Sequence, residues 1–480
     1  MENLSLNANL IKKYHQDLVY DYAQYPTSDH WSYNFKSEDY KKSLVDWLSN
    51  NRKEPIIFYV HTPFCQQLCH FCLCSKFITQ NYENAKEYLY KYLFKEIDLL
   101  FDFLNEEKIK LNVREIFFGG GSPTFYNRND FKNLADKLKG LFDFSKVGDF
   151  TVETDPRRVD EDRLLFNHKC GVNRLSFGLQ DFDPKVQKRI NRVQPPELFE
   201  KLLTKKVRDT YKTINFDLLI GLPGQTNESM TRTLDQIIEL RPTQIQLGLM
   251  AYKPWVGKHQ LKMVSEGPLP DFLDRKELFS VINKKLPEAG YVRVGFESYA
   301  LSDDPLAKAN RERKAYYNSC GLQKGAATNF VAVGSSGKGN LGDEYYSQSY
   351  YDLPSYKKCL DNRKFPTYRG IKLSKDDKIR KHITQQLRTY FKVDFKEFER
   401  NFKINFKEYF SKELEFVRAM AKDGLINFSN DSIEMTELGT SFSQNITNVF
   451  DKYDPPTKSY EERIATVKKA KVSEISSRVY

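Results

Sequence analysis

The stretch Phe58-Tyr59-Val60-His61-Thr62-Pro63-Phe64-Cys65-Gln66-Gln67-Leu68-Cys69-His70-Phe71-Cys72-Leu73-Cys74 runs a strand-like apolar segment straight into four cysteines. Ile56 to Val60 predicts a β-strand. Cys65, Cys69 and Cys72, spaced C-x-x-x-C-x-x-C, then place three thiols on the loop that leaves it. The chain holds seven cysteines in 480 residues, an odd number at low density, so a secreted disulfide framework is a poor reading. Clustered thiols in a reducing compartment point instead to a metal. A four-cysteine zinc site with Cys74 as fourth ligand is one alternative, and a surface thiol cluster is another. Structural zinc sites usually use two separated C-x-x-C pairs or bring in His, and Cys72 and Cys74 are too close to ligate together comfortably.

Outward from this loop, strand and helix patterns alternate. The segment from Ala85 to Asn105 sets Leu89, Leu93, Ile97, Leu100 and Leu104 at helical spacing, and Glu115 to Phe118 reads as the next strand. Phe131, Leu134, Leu138 and Leu141 mark a second helix face. Phe150 to Glu153, Asn173 to Leu179, Thr213 to Ile220 and Gln244 to Met250 read as further strands separated by helices. Six such units predict an α/β chain with parallel strands and suit an open or partial (β/α)6 barrel better than a doubly wound sheet, two folds that periodicity alone does not separate. Gly119-Gly120-Gly121-Ser122-Pro123, Thr154-Asp155-Pro156, Gln180-Asp181, Gly221-Leu222-Pro223-Gly224 and Tyr252-Lys253-Pro254 directly follow strands. Each alone is an ordinary β-α turn. Together with the cysteines they gather polar chemistry at strand C-termini, where barrel enzymes build their sites.

The expected organisation is an N-terminal extension over 1–54, the barrel over 55–300 and an irregular substrate or cofactor region over 301–369 that is rich in Tyr, Gly and Ser. A small, mostly helical, winged-helix-like domain is expected over 370–480, with Phe416 to Met435 as helix then short strand around an Asp423-Gly424 turn. Lys and Arg number 75 against 64 Asp and Glu, a net charge of +11, and residues 361–400 hold twelve basic against six acidic residues. Such a run is usually a solvated face; without RNA-binding signatures or zinc-finger spacing, no nucleic-acid partner is expected. Met1 to Lys12 lack an apolar h-region and no run is long enough for a membrane span, so a cytoplasmic protein is expected.

The three-cysteine loop resembles that of radical S-adenosylmethionine (SAM) enzymes, and the whole chain resembles their oxygen-independent coproporphyrinogen III oxidase (dehydrogenase) family. The likeness rests on V-H-x-P-F-C-x-x-L-C-x-F-C-x-C, on G-G-G-[ST]-P-T at Gly119 to Thr124, and on E-x-D-P-R at Glu153 to Arg157. It extends to N-R-L-S-x-G-x-Q-D-F from Asn173, Asn191-Arg192, D-L-x-x-G-L-P-x-Q-T from Asp217, R-G-I from Arg369 and A-K-D-G-L from Ala421. The resemblance implies a [4Fe-4S] cluster on Cys65, Cys69 and Cys72 whose fourth iron binds SAM, giving a 5′-deoxyadenosyl radical. It implies that Tyr59, Gly120 and Glu153 contact this SAM. It further implies a second SAM near Phe71, Gly121, Ser122, Gln180, Arg192, Asp217 and Ala251, and a catalytic Cys74. The implied reaction is oxidative decarboxylation of coproporphyrinogen III propionates in heme biosynthesis, with a reductant such as flavodoxin or ferredoxin.

Departures fall in the segments expected to meet substrate. The family's R-Y-T-S-Y-P-T is Asp21-Tyr22-Ala23-Gln24-Tyr25-Pro26-Thr27 here, reversing a charge. Its H-R-N-F-Q-G-Y is Tyr316 to Leu322, with Cys320 inside, and its D-H-F-A is Glu297-Ser298-Tyr299-Ala300. Met250 replaces a tyrosine, and Lys338 stands where an aliphatic residue is usual near the first SAM. Two other functions on the same scaffold are a two-SAM radical methyltransferase or cyclopropanase and a heme-binding chaperone.

Overall fold

A computed structural model describes residues 8–14, 22–459, 461–463 and 465. Asp21 lies outside the described residues. The described chain divides into two units, one formed by residues 32–269 and 326–372 and the other by the segments up to residue 31, 270–325 and 373–465.

The first unit carries the barrel strands in the expected order: β1 Pro55–Thr62, β2 Asn112–Gly120, β3 Asp149–Thr154, β4 Arg174–Gln180, β5 Thr213–Ile220 and β6 Gln244–Leu249. Each pairs in parallel with the next. The sheet does not close on itself, and the α/β partial barrel is the observed architecture. Alternation along each strand sorts side chains between two faces. Phe58 meets Phe101 and Phe142, Phe118 meets Phe131, and Phe177 and Phe216 meet Phe199, all on the helix-covered side. These four strand phenylalanines are 0% exposed, and each contributes about 2–3 kcal/mol by leaving water. The intervening positions, Tyr59 and His61, Phe117 and Gly119, Glu153, Ser176 and Asp217, face the opposite way, into the barrel.

The sequence after residue 300 carries more regular structure than its composition indicates. Within the first unit, β7 Asn329–Val333 adds in parallel beside β1, and β8 Lys338–Leu341, β9 Tyr345–Ser349 and β10 Thr367–Lys372 continue antiparallel. These strands are short and rich in Gly, Ser and Asn, so neither alternation nor β-branched content announces them.

The helix expected over Ala85 to Asn105 is α-helical at Tyr82–Glu87 and Phe94–Glu106, with a π-helical turn at Tyr88–Leu93 between them. The expected apolar face is buried throughout, and the wider turn brings Tyr88 and Tyr92 inward as well. The Tyr88 hydroxyl accepts a hydrogen bond from the Ser335 amide at 2.8 Å. About two turns on, the buried Glu96 carboxylate accepts from the Gly334 amide at 2.7 Å and from the Tyr356 hydroxyl. Burial pushes Glu96 up to about 7 despite those donors. Its ordinary value is near 4.5, so the unfolded chain ionises first as pH rises, and the native state loses stability between roughly pH 4.5 and 7. That loss amounts to about 3 kcal/mol once both states are ionised. Glu96→Gln keeps an acceptor oxygen but cannot ionise. Melting curves should therefore show wild type dropping more than the variant between pH 5 and pH 8, with the variant ahead at pH 8; parallel profiles would refute a buried, titrating Glu96.

In the second unit, helices Lys375–Tyr390, Phe395–Phe402 and Glu413–Lys422 surround a core in which Phe395 stacks on Phe406 at 4.2 Å. The Asp423-Gly424 turn is present, Gly424 with φ of +76°, and leads to strands Ile426–Phe428 and Ser432–Met435. The C-terminal region is helical as expected. The basic run dissolves into pairs, with Arg380 on Asp376 and Glu413, Lys392 on Glu434 and Lys396 on Asp431. This unit also explains two sequence departures together. The Tyr317 hydroxyl donates to the Glu297 carboxylate, Arg388 pairs with the same oxygen at 3.0 Å, and the Arg388 guanidinium lies 4.2 Å over the Tyr317 ring. The altered residues at 297 and 317 form one buried cluster with Arg388 and so complement one another. Cys320 is half-buried, its amide donating to the Asn318 side chain at 2.8 Å.

Candidate active site

The cysteine loop leaves β1 at the end where the other strands also finish, and neighbouring loops tie it down. The Gly121 amide donates to Thr62 O at 2.7 Å and the Ser122 amide to Phe64 O at 2.8 Å, holding the glycine turn against the chain that enters Cys65. Asn191 Nδ2 donates to Leu68 O at 2.9 Å, and Gln67 Nε2 donates to Asn191 Oδ1 at 2.9 Å. Gln260 Nε2 bridges Phe71 O and Ala251 O at 2.9 Å each, and His259 Nε2 reaches Cys72 O at 2.8 Å. Lys76 donates to Cys72 O and Cys74 O. The loop is thus fixed chiefly through its own carbonyls, which leaves its sulfurs available for ligation.

Burial, and after it the neighbouring Cys72 and Cys69 sulfurs, push the Cys65 thiol up to about 12, as three thiols gathered on one short loop would. Arg192 Nη1 lies 3.5 Å and Arg157 Nη2 4.0 Å from the Cys69 sulfur. Both guanidiniums also meet Asp155, at 3.7 and 2.7 Å, and although burial opposes it they hold that carboxyl down at about 2. Among the described residues, no group of three or more His, Cys, Asp or Glu is arranged to hold a single metal ion. A cubane cluster makes a different demand, one thiolate on each of three irons. Three converging thiols with two guanidiniums to offset thiolate charge fit that group. Cys74 is exposed, and its thiol hydrogen-bonds Cys72, which lowers Cys72 and raises Cys74.

The residues expected around SAM divide between two neighbourhoods. Tyr59 stacks near Phe117 at 5.9 Å, and its hydroxyl meets His61 Nδ1 at 3.1 Å. His61 Nε2 faces Ser75 O at 3.1 Å, so Nε2 carries the proton and Nδ1 accepts from Tyr59. Burial lowers His61 to about 4, keeping it neutral. The Gly120 amide donates to Glu153 Oε2 at 2.9 Å, and burial raises Glu153 to about 7. Gly120 has φ of +107°, and a Cβ there would stand 2.5 Å from the His61 ring, so only glycine allows the turn to close on β1.

Deeper in the barrel, Asp217 accepts from Ser176 Oγ at 2.8 Å and Asn215 Nδ2 at 2.7 Å, and burial raises its pKa. After burial, the charge of Asp217 also raises Glu153. Arg192 spans Gly178 O, at 2.8 Å from Nη2, and the Cys69 sulfur. Gln180 adopts φ of +70° at the end of β4, with its amide nitrogen beside Gly178. Ser122 Oγ pairs with Thr124 Oγ1 at 3.1 Å. Phe71 instead packs on an apolar cluster of Val186, Ile190, Leu222, Met250 and Met263, where the substituted Met250 is buried, and Ala251 is exposed beside it. Sequence reasoning assigned no role to Arg157, His61, His259 or Gln260. Arg157 and His61 stand inside quoted motifs; His259 and Gln260 lie in the 3-10 helix Lys258–Val264, whose sequence has no pattern of its own.

Residues 59–237 match the radical SAM superfamily model and residues 373–442 match the HemN C-terminal domain. Oxygen-independent coproporphyrinogen III oxidase of Helicobacter pylori is 34% identical over 434 residues, covering 90% of this chain and 93% of the relative. The protein of the same name from Pseudomonas aeruginosa is 32% identical over 95% of this chain and 97% of the relative. The solved coproporphyrinogen III oxidase (HemN) from Escherichia coli, described as a radical SAM enzyme, superposes with a TM-score of 0.84 at 30% identity, covering 93% of this chain and 99% of that one. With both matched regions in place and the likeness running nearly end to end, the chain belongs to the oxygen-independent coproporphyrinogen III oxidase family of radical SAM enzymes.

Proposed function

We propose that this chain oxidatively decarboxylates propionate side chains of coproporphyrinogen III to vinyl groups in heme biosynthesis. The observation that carries the reading is the convergence of Cys65, Cys69 and Cys72 beside the Gly120–Glu153 pair and the Arg157–Arg192–Asp155 cluster. When bound, the [4Fe-4S] cluster and SAM supply a 5′-deoxyadenosyl radical that takes a hydrogen atom from the propionate, whose radical then releases CO2 and one electron to an acceptor. Cys65, Cys69 and Cys72 would hold the cluster. Arg192 and Arg157 lie beside the Cys69 sulfur, where their positive charge would offset that of a bound, negatively charged cluster. Glu153, raised by burial and tied to the glycine turn, is placed to accept from ribose hydroxyls, and Tyr59 with neutral His61 forms an uncharged wall beside it. Asp217 supports a second SAM in the neighbourhood of Phe71, Gly121, Ser122, Gln180, Arg192 and Ala251, since a buried carboxylate is stabilised by hydroxyl donors or a sulfonium cation. Cys74, exposed next to the cluster loop, is read as a catalytic thiol. The electron source is read as a reductant such as flavodoxin or ferredoxin, in the cytoplasm; no helix among the described residues is long and apolar enough to cross a membrane.

The deciding experiment is an anaerobic turnover. Cluster-reconstituted protein, reductant, SAM and coproporphyrinogen III should yield 5′-deoxyadenosine, CO2 and vinyl products together. S-adenosylhomocysteine without CO2 would establish methyl transfer in its place, and heme binding without turnover would establish a chaperone.

A further inference from the structure

The strands that extend the barrel past β1 put a cation on its inner face. Residues opposite one another on paired strands share a face, as do positions two apart on one strand. Tyr59 stands opposite Ala332, Phe330 opposite Asn340, and Lys338 opposite Gln348. Following that register, Lys338 projects from the same face as Tyr59 and His61. Its positive charge adds to burial in lowering His61. His61 in turn lies against Gly120, whose amide holds Glu153. Lys338 therefore borders the volume beside the glycine turn.

Its neighbours in the row are engaged with one another. Arg369 Nε and Nη2 donate to Gln348 Oε1 at 2.8 and 2.5 Å, Gln348 Nε2 donates to Ser336 Oγ at 3.1 Å, and Ser336 Oγ donates to Ser75 Oγ at 2.8 Å. Gln348 and Arg369 are buried at 5% and 8% exposure, whereas Lys338 is half-buried. A half-buried lysine lays its apolar stem along its neighbours and keeps its charged head where water or a counter-charge can reach it. Its compact, strongly charged ammonium suits a carboxylate partner.

We propose that Lys338 is a carboxylate-binding residue of this site, pairing either with the methionyl carboxylate of SAM or with a propionate of the tetrapyrrole. The second source rests on the function proposed above; the first rests on the family alone. Binding measured without turnover separates the two. Cluster-reconstituted wild type, Lys338→Met and Lys338→Arg would be titrated anaerobically, without reductant, with SAM and separately with coproporphyrin III, with iron content and melting recorded for each. Lys338→Met should weaken one ligand about tenfold and leave the other within twofold, and Lys338→Arg should restore most of the loss. A weakened SAM constant assigns the cofactor carboxylate; a weakened porphyrin constant assigns the propionate. Wild-type constants for both ligands in Lys338→Met overturn the proposal, whatever the turnover assay returns. Should Lys338→Met fail to hold iron, Lys338→Gln carries the same test, because it keeps a polar end while removing the charge.

Discussion

Cys65→Ala, Cys69→Ala and Cys72→Ala should each reduce bound iron and the brown iron-sulfur absorbance to about a tenth of wild type or less after identical anaerobic reconstitution. A cubane held by only three protein thiolates has none to spare. The loop should survive the substitution, because its anchors are carbonyls and amides: Leu68 O on Asn191, Cys72 O on His259 and Lys76, Phe71 O on Gln260. Melting of the apoproteins should therefore stay close to wild type, so that iron loss reports ligation and not unfolding. Cys74→Ala supplies the contrast. Cys74 is exposed as a residue while its thiol turns in to hydrogen-bond Cys72, so iron content should hold while turnover falls if the catalytic reading is right. Full iron in any of the three ligand variants would sink the cluster assignment, and with it the chemistry proposed here.

The barrel was legible because its six parallel strands are long enough to show continuous apolar runs, and helices with leucines at i, i+3 and i+4 separate them. Thr213–Ile220 kept its expected bounds and the other ends moved by at most three residues, as from Glu115–Phe118 to Asn112–Gly120, since polar residues join a strand wherever a neighbour pairs with them. The strands from Asn329 to Lys372 stayed hidden for a different reason. Lys338-Gly339-Asn340-Leu341 has no pattern a single sequence can show, and tertiary pairing alone makes it a strand. The π turn at Tyr88–Leu93 is likewise silent, because the expected leucines remain buried on either geometry. At the site, motifs gave away the residues whose chemistry is conspicuous, cysteines, glycines and carboxylates at strand ends. Groups that act on the backbone of the cysteine loop, such as His259 and Gln260, lie nearly two hundred positions away and become meaningful only once the fold brings them beside it. The substrate departures at Glu297 and Tyr317 read as isolated oddities in the sequence and become one coherent cluster only when Arg388 is seen between them.

Gly121→Ala should damage cofactor binding more than its single added methyl implies. A Cβ at Gly121 would sit 2.7 Å from Phe64 O and 2.8 Å from Pro63 C and Thr62 O, all backbone atoms that cannot rotate away. The glycine turn and the chain entering the cysteine loop must therefore separate, straining the Gly121–Thr62 and Ser122–Phe64 hydrogen bonds that hold them together. Overpacking of this kind costs about 1–3 kcal/mol. The displacement begins at Phe64, one residue before Cys65, and on the other side at Gly120, whose amide fixes Glu153. SAM affinity is expected to fall about tenfold or more, with iron content lowered and melting reduced by several degrees. Gly140→Ala is the matched control. It lies in the helix Arg128–Leu141, and a Cβ there meets nothing within 4 Å, so the same methyl should leave SAM binding unchanged and raise stability by about 0.5–1 kcal/mol through helix propensity. If both variants bind SAM like wild type, the contact between the glycine turn and the cysteine loop is not what shapes the site; a loss confined to Gly121→Ala shows that it is.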